Sequence, residues 1–404
     1  MSLNTTPSAE RTHIGIFGRR NAGKSSLINA LTGQSLAIVS EVKGTTTDPV
    51  LKAMELLPLG PVVMIDTPGL DDEGDLGALR IQKAYQILNK TDIAILVIDG
   101  TATPSQADLD ILSRIQKKEI PFLVVLNKED LISSPETTVK KAADFLQVPA
   151  EKLFLASASS GSHIQELKES IARLVPEEDQ TRRIVADLVN PLDFVILVVP
   201  IDSAAPKGRL ILPQQQTIRD LLETGAVSIV VRESELANTL AKLGRRPNLV
   251  ITDSQAFQEV ASIVPNDIPL TSFSILFARY KGNLELLATG AKTLDSLEDG
   301  DHILISEGCT HHRQCEDIGT VKLPRWIRTH TGKKLNFDFT SGTEFPLDLQ
   351  RYRLIIHCGG CTLNEREMKY RLKCAEDAGV PLTNYGTTIA YMKGILARSL
   401  EIFS

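Results

Sequence analysis

The segment Gly18-Arg-Arg-Asn-Ala-Gly23-Lys24-Ser25-Ser26 has the residue types and spacing of a phosphate-binding loop. Glycines let backbone N–H groups wrap phosphate oxygens, and a helix starting here adds positive potential at its N-terminus. Gly23, Lys24, Ser25 and Ser26 are therefore candidate nucleotide-binding residues. Lys24 would bridge the β- and γ-phosphates, and the Ser25 hydroxyl would ligate magnesium. Four further fragments accompany the loop in the order a guanine-nucleotide site needs. Thr45-Thr46-Thr47-Asp48 forms a polar loop in which a threonine can sense the γ-phosphate through magnesium. Asp66-Thr-Pro-Gly69 ends an apolar run, which puts Asp66 near the metal and the Gly69 N–H near the γ-phosphate. Asn127-Lys128-Glu129-Asp130 ends another run, and a carboxylate at Asp130 can accept two hydrogen bonds from guanine N1 and N2, a donor pair adenine lacks. Ser157-Ala158-Ser159 follows a fifth run and would touch the base edge. Together the fragments imply GTP with magnesium.

A second constellation lies at the other end of the chain. Cys309-Thr310-His311 closes one apolar run, and His357-Cys358-Gly359-Gly360-Cys361 closes another. If both runs are parallel strands of one sheet, the two motifs emerge at the same edge, where α/β sheets build their sites. Three thiolates with a neighbouring imidazole permit a 4Fe–4S cluster with one exchangeable ligand, a Cys₃His zinc site, or a redox pair made of Cys358 and Cys361 alone. Cys315 and Cys374 read as further thiols of the fold, Cys374 within a helical pattern that includes Met368 and Leu372.

These residues need α/β scaffolding. Strand-length apolar runs at His13–Gly18, Val62–Asp66, Ile93–Asp99, Phe122–Asn127 and Leu153–Ser157 alternate with stretches of helical spacing, which predicts a parallel sheet covered on both faces. A charged, proline-containing stretch over 175–183 reads as a linker. The pattern restarts with strands at Phe194–Pro200, Val227–Arg232 and Leu249–Asp253, and helices opening at Pro213 and spanning Glu233–Leu243 and Ala256–Val264. A third segment is expected to carry strands Phe273–Phe277, His302–Ser306 and Tyr352–Ile356 with helices near Asn283–Leu294, Asn364–Ala378 and Thr387–Phe403. The expected class is α/β in three domains: a Ras-like P-loop GTPase over 1–175 followed by two smaller α/β domains, 184–266 for dimerisation and 267–404 for the cysteine site.

At 404 residues the chain is too long for a single ordinary core. A net charge of −6 disfavours a general nucleic-acid binder, which carries a basic surface. No apolar run reaches the roughly 18–20 residues needed to span a bilayer, and the N-terminus lacks a signal-peptide pattern. Five cysteines, an odd number, argue against a disulfide framework. The expectation is a cytoplasmic protein without nucleic-acid or membrane partners.

The spelling of the nucleotide motifs resembles the Era/TrmE-type branch of the translation-factor-related GTPases, whose loop reads G-R-x-N-x-G-K-S-S and whose first switch reads G-T-T-x-D, as in Gly44-Thr45-Thr46-Thr47-Asp48. The resemblance makes Thr46 the magnesium-binding threonine, and places Lys24, Thr46 and Gly69 at the reacting phosphate. It matches Asn21 to the asparagine that helps bind K⁺ in potassium-dependent relatives. Leu70 stands where Ras-like proteins carry the water-positioning glutamine, so hydrolysis is expected to be slow; the nearby acids Asp71, Asp72 and Glu73 have no assigned part.

The C-x-H … H-C-x-x-C arrangement behind such a G domain and a small middle domain resembles the HydF family of FeFe-hydrogenase maturation GTPases, over essentially the whole chain. That resemblance implies that Cys309, Cys358 and Cys361 hold a 4Fe–4S cluster, with His311 and His357 as candidates for the fourth ligand. It also implies a homodimeric scaffold whose cargo is the diiron subcluster precursor, made with the radical-SAM maturases HydE and HydG and delivered to apo-hydrogenase HydA. The rival expectation is an Era/TrmE-like GTPase of tRNA modification or ribosome assembly. The acidic balance, the lack of a recognisable RNA-binding module and the lack of a domain ahead of residue 13 weigh against it.

Overall fold

A computed structural model of the chain describes residues 8–33, 50–67, 69, 86–175, 183–201, 210–308, 318–342, 345–346 and 348–403. Thr46, Leu70, the acids 71–73, Cys309, His311 and Cys315 lie outside the described residues, as does most of the expected linker. Two compact units result, Met1–Thr181 and Arg182–Ser404.

The first unit is built on six strands: β1 (Thr12–Phe17), β2 (Val50–Leu56), β3 (Gly60–Asp66), β4 (Ile93–Asp99), β5 (Phe122–Asn127) and β6 (Leu153–Leu155). Their order is β2-β3-β1-β4-β5-β6, parallel throughout except for the antiparallel β2–β3 pair. Central strands of a parallel sheet are covered on both faces. The continuous run Ile93–Ile98 fits this, with no residue more than 1% exposed. Alternate side chains feed two cores, one around Phe17, Ile65 and Leu96 and the other around Ile16, Leu27 and Ile95. Register sets the working edge: Ile16 lies opposite Asp66, and Asp99 opposite Asn127. The loops after β1, β3, β4 and β5 therefore leave the sheet together.

The second unit holds two four-stranded parallel sheets. Strands β7 (Phe194–Val198), β8 (Val227–Val231), β9 (Leu249–Thr252) and β10 (Leu270–Ser272) run in the order β10-β9-β7-β8. Strands β11 (His302–Ser306), β12 (Asn336–Thr340), β13 (Leu354–His357) and β14 (Leu382–Asn384) run in the order β12-β11-β13-β14. The layers share apolar contacts, since Ala288, Ala291 and Ala390 from helices Leu284–Ala291 and Tyr385–Met392 pack with Ile196 and Val250 of the first sheet.

Three details differ from the sequence expectation. Phe273–Phe277, read as a strand, opens the helix Phe273–Lys281. The Ser272 hydroxyl caps that helix by accepting the Ile275 N–H at 3.3 Å, and burial of Phe273, Ile275, Leu276 and Phe277 erases the amphipathic period that would have signalled it. The strand just before it, β10, pairs with β9 and so completes the first sheet of this unit rather than belonging with the cysteine-bearing one. The C-terminal stretch expected as one helix is two, Tyr385–Met392 and Leu396–Leu400, parted where Gly394 takes φ +70°.

Candidate functional site

The phosphate loop leaves β1 through Gly18 and enters helix Lys24–Thr32 through Gly23. Both glycines have positive φ, and neither position has room for a side chain. A Cβ at Gly18 would lie 2.2 Å from the Val97 carbonyl oxygen, and one at Gly23 would lie 2.1 Å from Asn127 Nδ2. Lys24 is buried, and its ammonium donates to the carbonyls of Gly18 at 2.9 Å and Arg19 at 2.8 Å. Its charge thus sits inside the turn that would receive phosphate. Asn21 is exposed with φ +60°, and Ser26 occupies the first turn of the helix.

Ser25 Oγ donates to Asp66 Oδ2 at 2.7 Å, so two of the three expected magnesium ligands already meet. Burial pushes the Asp66 carboxyl up, against the opposing pull of Ser25 and Lys24. A hydroxyl and a carboxylate form the hard oxygen pair that magnesium prefers, and the metal's charge would offset the burial of Asp66. These two residues would hold Mg²⁺, which supplies charge neutralisation at the phosphates. Thr67 Oγ1 donates to Ile16 O at 2.6 Å, tying the ends of β1 and β3 together just ahead of Gly69.

Asn127 is a brace between the phosphate loop and the base loop. It is 2% exposed, donates from Nδ2 to Ala22 O at 3.0 Å and accepts the Ala158 N–H at 3.1 Å. Lys128 pairs with Asp99 at 2.6 Å. Burial pushes the Asp99 carboxyl up, but hydrogen bonds from Lys128 and Thr101 outweigh it and hold it below the ordinary value. Asp130 is aimed by Ser157 and Ser159, whose hydroxyls donate to its carboxylate. The Ser157 hydrogen bond, reinforced by Ser159, holds the Asp130 carboxyl below its ordinary value and therefore ionised. Asp99 carried no sequence signal separable from an ordinary strand end, and Thr67, within the Asp66–Gly69 motif, was given no part of its own. Arg19, inside the loop motif, was equally silent; it pairs at 3.1 Å with Asp108, which is fully buried.

At the other site, Ser306 at the end of β11 lies opposite His357 at the end of β13, so the strands that precede the two cysteine motifs end at one sheet edge. Cys358 Sγ accepts N–H bonds from Gly308 at 3.0 Å and Gly360 at 3.4 Å. Gly308 is the last described residue before Cys309 in the sequence. Gly360 turns with φ +62°, and a Cβ there would lie 2.6 Å from Met368 Sδ. Burial pushes the Cys358 thiol up to about 11 and also raises Cys361, the latter partly offset by the Lys281 ammonium. A metal bound by these thiols would release their protons.

His357, a candidate fourth ligand by resemblance, has both ring nitrogens engaged. It is fully buried; Nδ1 lies 2.7 Å from Cys358 O, and Nε2 lies 2.9 Å from Arg371 Nη1. Arg371 can only donate, so Nε2 accepts and Nδ1 carries the proton. Burial and the Arg371 charge pull the imidazole down to about 3, so it stays neutral with both nitrogens engaged. Arg371 is itself fully buried and donates to Glu367 at 2.9 Å, Ser306 at 3.2 Å and Gly342 O at 2.7 Å. Cys374 lies in helix Glu365–Asp377, partly buried against the hydrophobic core. Among the described residues no three His, Cys, Asp or Glu side chains form a ready metal site, and no helix is long and apolar enough to cross a membrane.

Comparison with known proteins follows the same division. Residues 13–128 match the model described as 50S ribosome-binding GTPase. Curated relatives cover this end: the tRNA modification GTPase MnmE of Desulfotalea psychrophila is 34% identical over 41% of this chain and 34% of its own length. GTPase Der of Wolinella succinogenes is 36% identical over 46% of this chain and 40% of its own, and GTPase Era of Halothermothrix orenii 32% over 45% and 66%. The chain thus spans less than half the length of the first two. A solved probable GTP-binding protein engB is 24% identical, with a TM-score of 0.35, covering 40% of this chain and 98% of that one. From residue 184 the chain matches two models of a single family, the hydrogen maturase F dimerization domain over 184–282 and the hydrogen maturase F tetramerization domain over 285–402. Joined to an N-terminal GTPase domain, these two self-association domains cover more than half of the chain, which belongs to the hydrogen maturase F family.

Proposed function

We propose that this protein is a cytoplasmic, GTP-hydrolysing scaffold of FeFe-hydrogenase maturation. Cys309, Cys358 and Cys361 hold a 4Fe–4S cluster in it, and it carries the diiron subcluster precursor from HydE and HydG to apo-HydA as a self-associated oligomer. The observation that carries the reading is the Cys358 sulfur, which accepts N–H bonds from Gly308 and Gly360 at the edge where β11 and β13 end. Backbone N–H donors to sulfur stabilise the negative charge of thiolate-bound iron and tune its potential. When bound, the cluster supplies an iron centre able to keep one exchangeable position, which suits a carrier better than a closed site. With His357 engaged by Cys358 O and Arg371, that position falls to another group. The test is anaerobic reconstitution with iron and sulfide followed by EPR of the reduced protein. Cys358→Ser should remove most of the cluster signal; an unchanged signal rejects the assignment.

The GTP site is proposed to act as a slow switch. Lys24, Thr46 and Gly69 stabilise the reacting γ-phosphate, and Ser25 and Asp66, with Thr46, hold magnesium. Asn21, exposed at the phosphate loop, would help bind K⁺, in keeping with the resemblance of this loop to that of potassium-dependent GTPases. A fixed cation there would replace part of the charge stabilisation that Leu70 cannot give, so turnover in KCl should exceed that in NaCl by about tenfold or more. Steady-state phosphate release in the two salts decides it, and equal rates would remove the K⁺ site.

A further inference from the structure

Helix Phe273–Lys281 serves two layers. Phe273, Leu276 and Phe277 sit in the core beneath the β7–β10 sheet, while Ala278 packs into a core of the β11–β14 sheet. Its last residue, Lys281, is only 3% exposed. The ammonium donates to Leu363 O at 2.9 Å, Gly360 O at 3.1 Å and Cys361 O at 3.5 Å. Burying an ammonium is costly unless its protons find acceptors. Here three acceptors come from one short backbone segment, the loop that carries Cys361 into helix Glu365–Asp377. A methionine could fill the same space without that desolvation cost, so packing alone gives no reason for a lysine.

We propose that Lys281 is a positioning residue for the cysteine loop: it clamps Gly360–Leu363 and sets a fixed positive charge beside Cys361, favouring the more negative, reduced state of an iron–sulfur cluster bound there. The electrostatic half rests on the cluster reading above; the clamping half does not. Lys281 also lies at the end of the segment matched as a dimerization domain, whereas the loop lies in the segment matched as a tetramerization domain. The contact therefore ties the cysteine edge to the neighbouring domain, and a shift of helix Phe273–Lys281 would reach Cys361 directly.

The experiment compares the full-length chain with Lys281→Met, Lys281→Gln and Lys281→Arg. Amide hydrogen exchange of the protein without iron reads the clamp. Exchange across 359–363 should accelerate about tenfold or more in Lys281→Met, with helix Phe273–Lys281 unchanged; no acceleration overturns the clamp whether or not a cluster binds. An EPR-monitored redox titration of the reconstituted protein reads the charge. The potential should shift negative in Lys281→Met and Lys281→Gln and return toward wild type in Lys281→Arg, which keeps the charge. A wild-type potential in the neutral variants overturns the electrostatic role, while a wild-type protein that binds no cluster overturns that role together with the reading beneath it. If Lys281→Met does not fold, Lys281→Gln, which keeps donors for the carbonyls, decides the electrostatic half and Lys281→Arg the clamp: its exchange should match wild type, and acceleration there overturns it.

Discussion

Asp130→Asn is expected to weaken GTP binding by about 100-fold or more and to move the preference toward xanthosine triphosphate. The carboxylate offers two acceptors to the N1 and N2 donors of guanine, and the geometry presents it that way. Ser157, fully buried, and Ser159 both donate to Asp130, which fixes its orientation and keeps it ionised. An amide offers one acceptor and one donor, which matches xanthine, where a carbonyl replaces the exocyclic amine. The effect should be confined to the base, because Asn127 braces the phosphate loop independently through Ala22 and Ala158. Competition binding with GTP and xanthosine triphosphate checks it, and retained selectivity for GTP would show that Asp130 does not read the base.

Arg371→Met is expected to destabilise the second unit by about 3–5 kcal/mol, because removing one partner leaves Glu367 buried without its counter-charge. Arg371 has no exposed surface and Glu367 very little. The lost guanidinium also frees Ser306, His357 and the Gly342 carbonyl, so the damage reaches the edge from which Cys358 leaves the sheet. Adding Glu367→Met should recover much of the loss, since two apolar residues remove the unpaired charge as well as the pair. Trp326, the chain's single tryptophan, lies in helix Leu323–Thr331 and packs against the core of the β11–β14 layer. Its fluorescence in urea therefore follows this unit, and equal midpoints for wild type and Arg371→Met would contradict the argument.

How far the sequence disclosed this depended on what each residue's environment adds. Ile93–Asp99 and Phe122–Asn127 were legible to the residue because a strand buried on both faces is a continuous apolar run. The same uniformity disguised Phe273–Phe277, a helix start buried all round. Strand β12 was missed because its edge position leaves Asn336 and Phe339 exposed, and β10 and β14, with three residues each, are too short to show a period. The nucleotide fragments were readable because phosphate and base contacts demand particular residue types at strand ends. Arg371 was not, since Glu-Arg-Glu-Met-Lys-Tyr-Arg reads as a solvated helix face until the fold closes over one of its arginines. His357, a candidate fourth ligand by resemblance, likewise gave no sign in the sequence of its contact with Arg371, fourteen residues away.

The most direct test of the account is metal and sulfide analysis of the anaerobically purified protein, combined with EPR after dithionite reduction. The account predicts about four iron and four acid-labile sulfides per chain, a signal typical of a reduced 4Fe–4S cluster, and its loss in Cys358→Ser. A colourless protein with about one zinc per chain and no labile sulfide would contradict it, and would leave the cysteine edge as a structural zinc site behind a GTPase.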